Sequence, residues 1–106
     1  MRGVAVLGST GSIGRSTLAV LRRQREHFRV VALTAGSNAS LLESQRLEWN
    51  PDFAGLVGPG DASAPGGGPG VLIEAATHPA VDIVVNAVVG AAGLDATLAA
   101  LRAGKR

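Results

Sequence analysis

The residues best suited to chemistry lie near the start of the chain: Gly8-Ser9-Thr10-Gly11-Ser12-Ile13-Gly14. Three glycines spaced G-x-x-G-x-x-G, with hydroxyls between them, suit a main-chain cradle for phosphate. Gly8 allows a turn with dihedrals that other residues avoid. Gly11 has no Cβ, so a pyrophosphate can approach the backbone, and Gly14 lets a helix pack closely on a sheet. The amides of Thr10, Gly11, Ser12 and Ile13 would then face an anion at the positive end of that helix. The hydroxyls of Ser9, Thr10 and Ser12 would add donors. The competing reading is a tight turn that binds nothing. A strand before the glycines and a helix after them favour a nucleotide.

A second stretch bears on which nucleotide. An NAD site usually carries Asp or Glu about 20 residues beyond the glycines, on the ribose 2′-hydroxyl. Here the corresponding stretch is Leu33-Thr34-Ala35-Gly36-Ser37-Asn38, and no acid follows until Glu43. A carboxylate there would repel a 2′-phosphate, so its absence leans toward NADP, with Ser37 and Asn38 as donors. Asn38 is equally placed to cap a helix. No Lys or Arg lies in this loop, and Arg15 is the candidate counter-charge. A third stretch, Asn86-Ala87-Val88-Val89-Gly90-Ala91-Ala92-Gly93, is small and apolar enough for a nicotinamide to lie along it. Plain helix–sheet packing would read the same way.

The elements that must position these stretches follow from hydrophobic patterning. Val4–Leu7 reads as a strand buried on both faces. A helix follows over 12–25, with Ser12 as N-cap and Ile13, Leu18 and Leu21 on its apolar face. A strand is predicted over 28–34, a helix over 39–49 with Leu41, Leu42, Gln45 and Leu47 near its inner side, and a weaker strand over 53–57. Gly and Pro dominate 58–70, which predicts a flexible loop. A helix over 71–77, a strand over 81–86 and a helix over 90–103 complete the chain. This alternation predicts an α/β domain of the Rossmann-like kind: a doubly wound, mostly parallel sheet with helices on both faces.

Composition excludes several other classes. The 106 residues include no Cys, so there is no disulfide framework, thiolate metal site or Cys nucleophile. The longest nearly apolar run, Ile83 to Leu94, falls short of the roughly 20 residues a membrane span needs. No apolar stretch at the start is long enough for a signal peptide, which predicts a cytoplasmic protein. The pI of about 10.5 reflects an excess of only +2, because nothing with a thiol or phenol titrates nearby. Arg15, Arg22, Arg23, Arg25 and Arg29 cluster, but without interleaved aromatics they read as a solvated helix face rather than a nucleic-acid patch. His27 and His78 read as surface turns. The acids share no short spacing that would make a metal site or an acid/base pair.

Taken together, Leu7–Gly14 with Ser16-Thr17-Leu18 resembles the opening of the 1-deoxy-D-xylulose 5-phosphate reductoisomerase family. Glu26–Leu33, Ala35-Gly36-x-Asn38, Val89–Leu94, Thr97-Leu98 and Arg102–Lys105 are similar to later blocks of that family, in order. The resemblance spans nearly the whole chain. It implies NADPH as cofactor, with Thr10, Gly11, Ser12 and Ile13 on the pyrophosphate. Gly36, Ser37 and Asn38 would surround the adenosine ribose and its 2′-phosphate, and Ala87 and Val88 would lie near the nicotinamide. It further implies a divalent metal (Mg or Mn), a phosphosugar substrate and a homodimer in the full-length enzyme, whose reaction belongs to non-mevalonate isoprenoid biosynthesis. Two departures stand out: the family commonly has a basic residue where this chain has Ser37, and its 58–70 segment is longer. The chain is expected to be a fragment, residues 1–106 forming the NADPH-binding domain, with the catalytic and C-terminal domains absent. The metal ligands and catalytic residues would then lie outside it, leaving the fragment inactive. Alternatives are the cofactor domain of another NADP-dependent dehydrogenase, of semialdehyde-dehydrogenase or epimerase type, and a non-catalytic nucleotide-sensing module.

Overall fold

Val4, Ala5, Val6 and Leu7 are all buried, which only a strand covered on both faces allows. They form the centre of β1 (Arg2–Leu7). The computed structural model describes residues 1–58, 70–88 and 90–106. In chain order β1 is followed by α1 (Ser12–Arg23), β2 (Phe28–Ala35), α2 (Ala39–Trp49), β3 (Phe53–Leu56), α3 (Gly70–Ala76), β4 (Ile83–Asn86) and α4 (Ala91–Arg102). The Gly/Pro-rich loop expected over 58–70 lies outside the described residues except at its ends. Gly58 follows β3, and Gly70 already belongs to α3.

The four strands pair in the order β3-β2-β1-β4, all parallel. Alternate residues of β1 point to opposite faces. Val4 and Val6 join Val30, Leu33 and Ala35 of β2 beneath Leu18 and Leu21 of α1 and Leu42 of α2. Ala5 and Leu7 pack with Val31 and Ala32 beneath Leu72, Ala75 and Ala76 of α3 and Ala96 and Ala100 of α4. Helices therefore cover both faces, as the alternation predicts. The register slips once. Val4 pairs with Val30 but Ala5 pairs with Ala32, leaving Val31 as a bulge. That is why the adjacent Val31 and Ala32 enter the same core.

Because β2 and β3 lie on one side of β1 and β4 on the other, the strand order reverses between β1 and β4. In open α/β sheets the crevice at that reversal, outside the carboxyl ends of the strands, is where ligands bind. The glycine turn leaves β1 there. Arg106 extends the sheet at its outer side, donating its amide to Asp82 O at 3.0 Å and accepting from Val84 N at 2.6 Å. No helix among the described residues is long and apolar enough to cross a membrane.

Candidate nucleotide-binding site

The glycine turn is held by β2. The amides of Gly8 and Ser9 both donate to the Thr34 carbonyl, at 2.9 and 2.8 Å, so the chain leaves β1 with its direction fixed. Gly8 turns with φ of +80°, a conformation that a side chain would strain. A Cβ at Gly14 would overlap the Gly8 carbonyl oxygen and the Ser9 Cα, so α1 packs on the turn only with glycine there. Both glycines do what their spacing predicts.

At Gly11 the structure differs from the sequence expectation. Its amide closes the turn onto Gly8 O at 3.3 Å, and Gly11, not Ser12, is the N-cap of α1, with no side-chain cap. The amides of Thr10, Ser12 and Ile13 donate to no backbone partner among the described residues. They form the row available to an anion, and Gly11 supplies clearance instead of a donor. Its missing Cβ would meet only Gly8 O, at an ordinary 3.6 Å. No acid lies in the first turn of α1, which would otherwise compete for that site.

Two further expectations are corrected. The Ser9 hydroxyl does not face the site. Ser9 is fully buried, and its Oγ donates to Gln45 Oε1 at 2.6 Å. Gln45 Nε2 in turn donates to the Ser9 carbonyl at 2.9 Å. Ile13 is not on the buried face of α1 but 66% exposed beside the open amides; Gly14, Leu18 and Leu21 form that face. On α2, Leu47 is likewise exposed, whereas Leu42 and Gln45 are buried.

Beyond β2, Gly36, Ser37 and Asn38 are exposed, and nothing crowds the position of a Cβ at Gly36. Asn38 caps α2, its Oδ1 accepting from Leu41 N at 3.1 Å. Among the described residues no carboxylate follows β2 before Glu43, so the Gly36–Asn38 loop itself carries no negative charge. On the far side of the crevice, Ala87 donates its amide to Leu7 O at 2.9 Å. A Cβ at Gly8 would touch Ala87 and Val88, so these residues lie directly over the turn. Asn86 fixes that segment. Its Nδ2 donates to Gly93 O and Thr97 Oγ1, and its Oδ1 accepts from Val88 N. The sequence places Gln45 on the inner side of its helix and Asn86 at the end of its strand, but it does not reveal that they organise these segments. Their only signal is a polar residue among apolar ones, at the inner face of a helix and at the end of a buried strand.

The arginine cluster is engaged by acids far along the chain. Arg22 and Arg25 pair with Glu48 at 2.6 and 3.0 Å, and Arg29 pairs with Asp52. Hydrogen bonding from Arg22 holds the Glu48 carboxyl below its ordinary value, and Arg29 does the same for Asp52. Arg25 lies over the Trp49 ring, 4.4 Å from its centroid. Arg15 stands apart from these pairs, on the wall of a groove of about 250 Å³ between α1 and α2 whose lining includes Ser44 and Gln45.

Comparison with known proteins decides the family. The model for "1-deoxy-D-xylulose 5-phosphate reductoisomerase" matches residues 4–64 and 64–106. The chain belongs to the 1-deoxy-D-xylulose 5-phosphate reductoisomerase family. Curated relatives include the reductoisomerases of Aromatoleum aromaticum, 46% identical over 97% of this chain and 29% of its own, and of Geotalea uraniireducens, 45% identical over 99% and 30%. Among solved structures, a DOX-P reductoisomerase complex with NADPH, fosmidomycin and magnesium superposes with a TM-score of 0.89 at 40% identity, over 100% of this chain and 29% of that one. The Zymomonas mobilis reductoisomerase in complex with NADPH gives 0.85 at 40% identity, over 98% and 30%. The chain thus spans about 30% of the length of these reductoisomerases. The family match changes segment at residue 64, inside the Gly/Pro-rich run.

Proposed function

We propose that this chain is the NADPH-binding part of a 1-deoxy-D-xylulose 5-phosphate reductoisomerase. The observation that carries the proposal is the row of open amides at Thr10, Ser12 and Ile13, set where the strand order reverses. In this reading those amides hold the pyrophosphate, and Gly11 leaves the main chain bare beneath it. Gly36, Ser37 and Asn38 surround the adenosine ribose and its 2′-phosphate, in a loop that itself carries no carboxylate to oppose the added charge. Ala87 and Val88 line the nicotinamide half. NADPH, when bound, supplies a hydride. The residues of this chain orient the cofactor and exclude water from one side of it. Orientation is itself a large part of such catalysis, because hydride transfer needs donor and acceptor held together.

The whole protein, in this reading, isomerises 1-deoxy-D-xylulose 5-phosphate and reduces the product to 2-C-methyl-D-erythritol 4-phosphate. It does so as a cytoplasmic homodimer, with a divalent metal held by residues beyond this chain. The NADPH, fosmidomycin and magnesium of the related complex support that division of labour. Parallel titration of the protein with NADPH, NADH and coenzyme A tests the cofactor reading. Saturable binding with NADPH preferred by at least about tenfold is expected, given a full phosphate charge at stake. A preference for NADH or for coenzyme A would overturn it. The 106 residues alone are expected to leave NADPH unoxidised when given substrate and magnesium, and measurable turnover would contradict the assignment of catalysis to the rest of the protein.

A further inference from the structure

Gln45 is 6% exposed on a helix face that otherwise buries Leu42, and Ser9 beneath it is fully buried. An apolar residue would pack there without desolvating an amide, so burial alone does not account for glutamine. What it does is bridge. Its side chain accepts from the Ser9 hydroxyl and donates to the Ser9 carbonyl, joining α2 to the residue before Thr10. Thr34 holds the same residue from the other side through the Ser9 amide. Every polar group of Ser9 is thereby engaged. The first turn of α2 is in turn set by Asn38, one of the residues on the adenosine side.

We infer that Gln45 is a positioning residue that sets the spacing between the phosphate turn and the adenosine loop. It touches neither half of the cofactor. Through Ser9 it fixes the turn, and through α2 it fixes Gly36–Asn38, so a ligand spanning both meets them at one distance. This inference rests on the cofactor reading above. Its signature is a loss for ligands that span both halves and none for ligands that occupy one. Fully satisfied buried polar groups specify geometry in this way, and a supporting shell loosened by a fraction of an ångström weakens a spanning ligand first.

The test compares the wild-type protein with Q45L, S9A and the double variant S9A/Q45L, each well below its own Tm. The probes are NADPH, inorganic pyrophosphate for the turn and adenosine 2′-monophosphate for the loop. Q45L is expected to bind NADPH at least about tenfold more weakly, with each half-ligand within about twofold of wild type. S9A deletes one hydroxyl and leaves α2 intact; it should show the same split at about half the logarithmic size, and it serves if Q45L fails to fold. The double variant should lose less than the two single losses combined, because neither side chain is left without its partner and the open carbonyl at position 9 is already counted in Q45L. Unchanged NADPH affinity in folded Q45L or S9A, whatever the Tm, would overturn the inference. A parallel loss of pyrophosphate binding would also overturn it, as local damage to the turn. A wild-type protein that fails to bind NADPH would instead overturn the cofactor reading.

Discussion

Replacing Gly11 by alanine should separate folding from binding. The new Cβ would lie 3.6 Å from Gly8 O, an ordinary contact, on a backbone with φ of −79° that alanine adopts freely. Alanine is a poorer N-cap than glycine by roughly 0.5–1 kcal/mol. Reduced freedom of the unfolded chain returns about 0.4–1 kcal/mol. The two nearly cancel, so Tm should move by only a few degrees. The same methyl would stand where the pyrophosphate must approach. Disrupting charge-assisted hydrogen bonds costs about 1.5–3 kcal/mol, which is a loss of about 10- to 150-fold in NADPH affinity. G14A provides the contrast. An unobstructed Gly→Ala in a helix gains about 1 kcal/mol. Here the Cβ would run into the backbone of Gly8 and Ser9. Overpacking of about 1–3 kcal/mol should reverse the sign, lowering Tm and shifting the amides of Ser12 and Ile13. Thermal melts by circular dichroism and NADPH titration by calorimetry read both. A G11A protein that binds NADPH like wild type, or a G14A protein that melts higher, would refute the reasoning.

Three other outcomes are expected. S37K should tighten NADPH relative to NADH by about three- to tenfold at low ionic strength, the gain shrinking toward 0.5 M salt as the Debye length falls to a few ångströms; titrations at two salt concentrations check it. N38A removes the acceptor for Leu41 N and should destabilise the protein by about 1 kcal/mol, seen as a lower Tm. The carboxyls of Glu43, Glu48 and Asp52 are held below their ordinary values by hydrogen bonds from Arg46, Arg22 and Arg29. Their contribution is complete above the unfolded carboxylate range and is lost as pH falls through the depressed folded values. Tm should therefore be flat through neutrality and drop below about pH 4.5, less steeply at high salt, and a Tm that rose on acidification would contradict these pairings.

The fold was legible because its signals are local. Val4–Leu7 can only be a covered strand, and Gly8 and Gly14 announce a turn and a close approach. What escaped the sequence depends on partners far along the chain. Ser9 looks like a phosphate donor until Gln45 is found 36 positions away, holding its hydroxyl inward. Arg22 and Arg25 do lie on an exposed face, but nothing local announces that Glu48 of another helix pairs with both. The bulge at Val31 is hidden because Val30-Val31-Ala32 is uniformly apolar, and a continuous run does not say which residue faces which way. Ile13 lies exposed because the buried face of α1 runs through Gly14, Leu18 and Leu21 at i, i+4 and i+7, one position out of phase with it, and glycine carries no hydrophobic signal to mark that face.

Trp49 is the sole tryptophan and the chain has no tyrosine, so near-ultraviolet emission reports from one place. That place is the last turn of α2, one helical turn beyond Gln45, with the guanidinium of Arg25 stacked on the indole. Any reseating of the helix against its neighbour changes how closely the cation covers the ring. The protein thus carries its own optical gauge of how α2 sits beside the glycine turn, with no label needed.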